Sequence, residues 1–175
     1  MIEKLVKQNK IYSGRAVDFY CDEVELPNEE IAKREYLGHP GAAAVLAFLD
    51  KKNIVLVKQF RYPVGKITYE IPAGKIDPGE TPLHCIEREI EEETGFIAKR
   101  FEKLISFYPT TAFSNEILHV FAAFGLERGK QNPDEDEFIS AEIVSFKQAL
   151  KMVKSGQIMD AKTVVALLYF ENILK

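Results

Sequence analysis

Apolar and polar positions alternate through much of the first part of the chain. KIYSGRAVDFY and CDEVELP show the two-residue period of half-buried strands, and the turn-forming LPNEE separates them from the next such run. The pattern predicts a strand meander over residues 10–37, a small sheet added to the main domain. After HPGA, which holds His39 and Pro40, the apolar runs AAVLAFLD and IVLVKQFRYP flank the turn KKN and predict a hairpin of buried strands. ITYEIPAGKI predicts one more short strand ending near Pro72. The period then changes. Thr81 is placed as an N-cap, Pro82 suits the first helical position, and Gly95 suits a left-handed stop, so a helix is predicted from Pro82 to Thr94. Leu83, Ile86 and Ile90 recur at spacings of three and four and make its apolar stripe. Helical patterns over 146–154 and 161–174 are expected to cover the sheet.

The polar side of the 82–94 helix carries an unusual charge. Glu89, Glu92 and Glu93 are related by three and four residues and share one face, with Arg88 four residues before Glu92. From Glu80 to Glu93 six glutamates stand against one arginine. The carboxylates crowd the C-terminal turn, where the helix macrodipole opposes further negative charge. Two readings are open: a solvated acidic face, or a set of hard oxygen ligands suited to Mg²⁺ or Mn²⁺.

Composition narrows the setting. A chain of 175 residues with 46% hydrophobic content is long enough to bury one core, and a net charge of -4 without a basic stripe argues against nucleic acid as the main partner. Cys21 and Cys85 lie far apart, and no Cys/His spacing resembles a zinc site, so reduced, intracellular thiols are expected. No apolar run approaches the ~20 residues of a membrane span, and a cytoplasmic protein without membrane partners is expected. His39, His84 and His119 show no mutual spacing of a catalytic set. Cys85, four residues before Glu89, reads as a small packing residue. Tyr12 and Tyr20 lie on the predicted N-terminal strands, where either could stack on a base.

The segment GKIDPGETPLHCIEREIEEETGF resembles the Nudix box: Gly74, Glu80, Arg88, Glu89, Ile90, Glu92, Glu93, Gly95 and Phe96 fill every specified position. A chance match has a probability on the order of 10⁻⁸ per starting point. The resemblance implies an α/β/α sandwich around a mixed sheet, and hydrolysis of a nucleoside diphosphate linked to another group. It implies Glu89 and Glu93 as the main metal ligands, Glu92 as a further one, and the carbonyl of Ala73 facing the metal. Glu80 and Arg88 would orient these ligands.

REYLGHPGAAAV, VKQFRYPVG, YEIPAG and SGQIMDAKTVVALL are similar to the ADP-ribose pyrophosphatase branch of that family. The resemblance implies a division into an N-terminal β region (1–39) that joins two subunits as a homodimer and a Nudix domain (40–175). It implies ADP-ribose as substrate, with Mg²⁺ or Mn²⁺ as cofactor, and substrate contacts from Arg34, Arg61 and Glu116. An arginine suits that task because its planar fork pairs with phosphate and its face stacks on a base. A base outside the box is expected in PDEDEFISAEIVSF, with Glu135 at the matching position and Glu137 as a nearby acid. One departure bears on substrate: Thr111 stands where the branch carries a proline, sixteen residues after Gly95. Other nucleoside diphosphate sugars therefore stay open. A non-catalytic nucleotide-sensing module is the alternative of a different class, and the intact carboxylates argue against it.

Overall fold

The computed structural model describes residues 1–132 and 137–173. The chain divides into two units, one formed by residues 1–41 with 108–117 and the other by 42–107 with 118–175.

The first unit is a small antiparallel sheet. Its long strands β3 (Asp18–Glu25) and β4 (Ile31–Gly38) pair along their full length, as the alternating pattern predicts. β1 (Lys4–Lys7) and β2 (Lys10–Ser13) follow each other along the other edge of β3. The charge-rich N-terminus gave no sign of β1. Inside the unit the buried Asp22 accepts the Asn9 N–H at 2.9 Å and the Tyr36 hydroxyl at 3.0 Å. Tyr20 stacks on Tyr36 with ring centroids 5.0 Å apart. The 108–117 segment joins β4 through Leu37 N–H to the Phe113 carbonyl.

The second unit is built around a seven-stranded mixed sheet. Its central strand β5 (Ala42–Phe48) is buried at every position, which explains why its sequence runs apolar without alternation. Beside it lie β6 (Asn53–Arg61) and β8 (Ala73–Lys75), and β7 (Lys66–Glu70) pairs with β6, all antiparallel to their partners. The helix α1 (Pro82–Thr94) leads to β9 (Phe96–Phe107) and β10 (Leu118–Arg128), and β10 pairs parallel with β5. β11 (Ile139–Ser145) completes the sheet along β6, and α2 (Phe146–Lys154) and α3 (Ala161–Ile173) close the chain.

Alternate residues of β5 feed two cores. Ala42, Ala44, Leu46 and Phe48 pack with Ala149, Met152, Ala166 and Leu167 of α2 and α3. Ala43, Val45 and Ala47 pack with Cys85, Ile86 and Ile90 of α1. Helices thus cover both faces of one mixed sheet, the α/β/α sandwich that the sequence implied. The helix signals also hold: Thr81 Oγ1 accepts the His84 N–H at 3.2 Å, and Gly95, at φ 69°, donates to the Glu91 carbonyl. The apolar stripe is corrected in one place. Leu83 is 38% exposed, while Cys85 is fully buried, because the helix turns its Cys85–Ile86–Ile90 face to the sheet.

Candidate active site

The last two turns of α1 carry the acidic side chains, and β8 runs beneath them. Gly74 in β8 permits this approach: a Cβ there would stand 1.8 Å from Glu89 Oε1. Arg88 holds the cluster in order. Its Nη1 donates to Glu89 Oε1 at 2.7 Å and Glu92 Oε2 at 2.9 Å, and its Nε donates to Glu80 Oε1 at 3.2 Å. Glu80 is itself fixed on the turn before the helix by the Asp77 N–H at 3.0 Å. Hydrogen bonding to Arg88 keeps the Glu80 carboxyl below its ordinary range.

Glu93 is 4% exposed, and its Oε2 accepts the Ala73 N–H at 3.0 Å. The contact that Ala73 makes here is through its amide. Burial pushes the Glu93 carboxyl up to about 8; the negative charges of Glu89 and Glu137 add to the rise, against the Ala73 N–H and the charge of Lys162. Glu89 is also raised, first by burial and then by Glu92 and Glu137, against the pull of Arg88. The exposed Glu137 therefore stands within electrostatic reach of both. Glu135, the expected base, lies outside the described residues.

The free carbonyls at the end of α1 are taken up by the chain after β10. Gln131 Nε2 donates to the Glu93 carbonyl at 2.7 Å, Asn132 N–H to that of Glu92 at 3.0 Å, and Gly129 N–H to that of Gly95 at 2.9 Å. Glu91 is half-buried and accepts the Lys130 N–H. Cys85 is a packing residue: burial pushes its thiol up to about 12, and its Sγ lies 3.6 Å from the Gly74 carbonyl. The His119 Nδ1 lies 2.8 Å from Ser106 Oγ.

Arg61, at the end of β6, is clamped by Glu70, with Nε to Oε1 at 2.9 Å and Nη2 to Oε2 at 2.8 Å. The negative charge of Glu93 reaches Arg61, so this arginine and the acidic helix share one field. Arg34 and Glu116 belong to the first unit. Arg34 Nε donates to Glu3 Oε2 at 2.9 Å, and the Glu116 N–H donates to Ser114 Oγ at 3.1 Å. Sequence reasoning passed over Glu70, Asp160, Lys162 and Thr163. Their signal was a lone carboxylate at the end of an apolar strand, in ITYEIP, and a charged start to an otherwise apolar helix, in DAKTVVALL.

The donor set fits a hard divalent cation. Glu93 is buried and Glu89 half-buried, burial raises both carboxyls, and their oxygens are the ligands such a cation takes. Among the described residues no three acidic, histidine or cysteine side chains already converge as a metal cluster; Arg88 lies between Glu89 and Glu92 as their counter-charge.

Fold and site together define a class: an α/β/α sandwich that presents a loop, helix and loop of ordered carboxylates beside a clamped arginine. The chain belongs to the Nudix hydrolase family, whose NUDIX domain matches residues 38–165. It is similar to the ADP-ribose pyrophosphatase of Bacillus subtilis (strain 168), with 46% identity over 171 residues covering 97% of this chain and 92% of the relative. It is also 44% identical over 172 residues to the methanol dehydrogenase activator of Bacillus methanolicus, again covering 97% and 92%. Among solved structures, that of an ADP compounds hydrolase matches with a TM-score of 0.87 at 18% identity, covering 99% of this chain and 95% of the other, a likeness of fold.

Proposed function

We propose that the protein hydrolyses the diphosphate bond of ADP-ribose, giving AMP and ribose 5-phosphate, with Mg²⁺ as its cofactor and Mn²⁺ able to replace it. The observation that carries this reading is the pair of carboxylates at the end of α1, Glu93 buried and Glu89 half-buried, both raised by burial and held by the Ala73 N–H and by Arg88. A divalent cation held there by Glu89, Glu92 and Glu93 would neutralise the diphosphate and acidify a water.

The chain's own residues supply the rest. Arg88 and Glu80 hold Glu89 and Glu92 in one orientation before substrate arrives, and the Ala73 N–H does the same for Glu93. Arg61, with its guanidinium plane set by Glu70, pairs with a phosphate or a sugar of the substrate. Water oxygen bonds to phosphorus as the bridging oxygen leaves with the other phosphate. Glu135 takes the water's proton, with Glu137 as the substitute acid. Arg34 and Glu116 complete the nucleotide contacts. The first unit joins two copies, a role supported by the exposed Leu5, Val6 and Ile11 on its edge strands.

ADP-ribose is preferred because the Bacillus subtilis relative, matched along nearly its whole length, is named for that substrate. The test is a panel of nucleotide sugars with Mg²⁺. Release of AMP from ADP-ribose ahead of all others supports the proposal. Preference for another nucleotide sugar would place the effect at the Thr111 departure, and binding without hydrolysis of any would make the protein a sensor.

A further inference from the structure

The second unit holds another charged cluster, of which the reaction as described uses Arg61 and Glu70 but assigns no part to Lys162, Asp160 or Thr163. Glu70 is 2% exposed, yet it accepts from Arg61, from Thr68 Oγ1 at 2.6 Å and from Lys162 Nζ. Lys162, with its side chain 14% exposed at the start of α3, also donates to Asp160 Oδ1 at 2.9 Å. The other oxygen of Asp160 caps α3, accepting from Thr163 N–H at 3.0 Å and Thr163 Oγ1 at 2.6 Å. Thr163 Oγ1 in turn accepts the Ile71 N–H at 2.9 Å, two residues before the amide that holds Glu93.

Stability alone does not explain four charges placed together in this way. Buried ion pairs lose in desolvation much of what they gain, and apolar groups of the same volume commonly serve as well. What the cluster supplies is direction. Glu70 takes one edge of the Arg61 guanidinium, and that side chain is still 45% exposed on a cavity of about 730 Å³ shared with Lys66, Gln157 and Met159. Glu70 is shared between two cations, so it does not neutralise Arg61 by itself. Arg61, Glu70, Lys162 and Asp160 sum to zero formal charge, whereas without Lys162 they would carry one net negative charge beside the cavity.

We propose that Lys162 is a positioning residue: steadied by Asp160, it locks Glu70, and Glu70 fixes the direction in which Arg61 offers its guanidinium to an anion in the cavity. The proposal rests on the hydrolase reading only in taking that anion to be the substrate's phosphate.

The test compares wild type with Lys162→Met, Lys162→Gln, Lys162→Arg and the double variant Asp160→Asn/Lys162→Met. Positioning predicts that Lys162→Met raises KM for ADP-ribose about tenfold while kcat changes less than threefold, and that Lys162→Arg restores both. The double variant keeps the net charge and stays impaired; if it recovers, charge rather than position is responsible and the proposal falls. A second readout needs no turnover: the Arg61 Nε–H resonance, assigned by its loss in Arg61→Lys, exchanges slowly with solvent in wild type and Lys162→Arg. It exchanges at least tenfold faster in Lys162→Met, or in Lys162→Gln should the methionine variant not fold. An unchanged exchange rate overturns the proposal. Failure of wild type to hydrolyse any nucleotide sugar would remove the hydrolase reading and leave the exchange experiment intact.

Discussion

Substituting Gly74 by alanine separates catalysis from folding. Gly74 lacks the positive φ that would strain alanine, so the effect must come from the added methyl. That carbon would meet Glu89 Oε1 at 1.8 Å, Cδ at 2.0 Å and Cγ at 2.5 Å, and no other side chain stands closer. Relief to ordinary contact near 3.4 Å requires the Glu89 carboxylate to retreat by roughly 1.6 Å. The retreat breaks its 2.7 Å bond with Arg88. A displacement of about 1 Å in a catalytic group costs on the order of 10²-fold in rate, or about 2.7 kcal/mol. Glu89 lies on the surface of α1 with its side chain 14% exposed, so it can swing without repacking the core. The cost to folding is then about 1 kcal/mol, or a Tm shift of about 2–4 °C. Turnover of ADP-ribose and thermal unfolding, measured on the same preparation, decide the matter. Wild-type turnover in Gly74→Ala would refute the reasoning, and so would a loss of turnover that merely follows loss of fold.

Glu70 gives a pH prediction: its carboxyl is lowered to about 2 by Arg61 and Lys162 against the cost of burial. A depressed folded value means stability present above the unfolded value of 4.5 and lost as pH falls from there to about 2. The shift corresponds to about 3 kcal/mol. Urea unfolding from pH 6 to pH 2.5 should show that slope, and Glu70→Gln should flatten it. Glu93 behaves in the opposite sense, because its folded value is raised to about 8: its contribution is present below 4.5 and lost as pH rises through 8. Glu93→Gln should therefore raise the Tm of metal-free protein at pH 8.5. Gly95→Ala should cost about 1–2 kcal/mol in chemical unfolding, since φ is 69° and the new carbon would meet the Gln131 amide nitrogen at 3.1 Å.

What the sequence revealed was what is local. The helix from Pro82 to Thr94 announced itself by its cap, its period and its glycine stop, and β5 by its unbroken apolar run. β9 and β10 were not read at all. β9 is mostly half-buried and exposed without clean alternation, and a register shift falls at Val120 in its pairing with β10, so the period of two is blurred. The facing of α1 was misjudged because periodicity alone cannot distinguish Leu83 from Cys85 as the edge of a stripe. The Lys162–Glu70 contact spans 92 residues, and that from Lys130 to Glu91 spans 39. Partners so distant are chosen by the fold, and no spacing rule within a helix or strand exposes them.

The most direct measurement of the central claim is AMP formation from ADP-ribose by wild type and Glu93→Gln, with Mg²⁺ and with a chelator. Wild type should form AMP and ribose 5-phosphate only with the metal, and Glu93→Gln, folded and no less stable without metal, should lose nearly all turnover. Chelator-resistant hydrolysis, or a Glu93→Gln protein that turns over like wild type, would contradict the account.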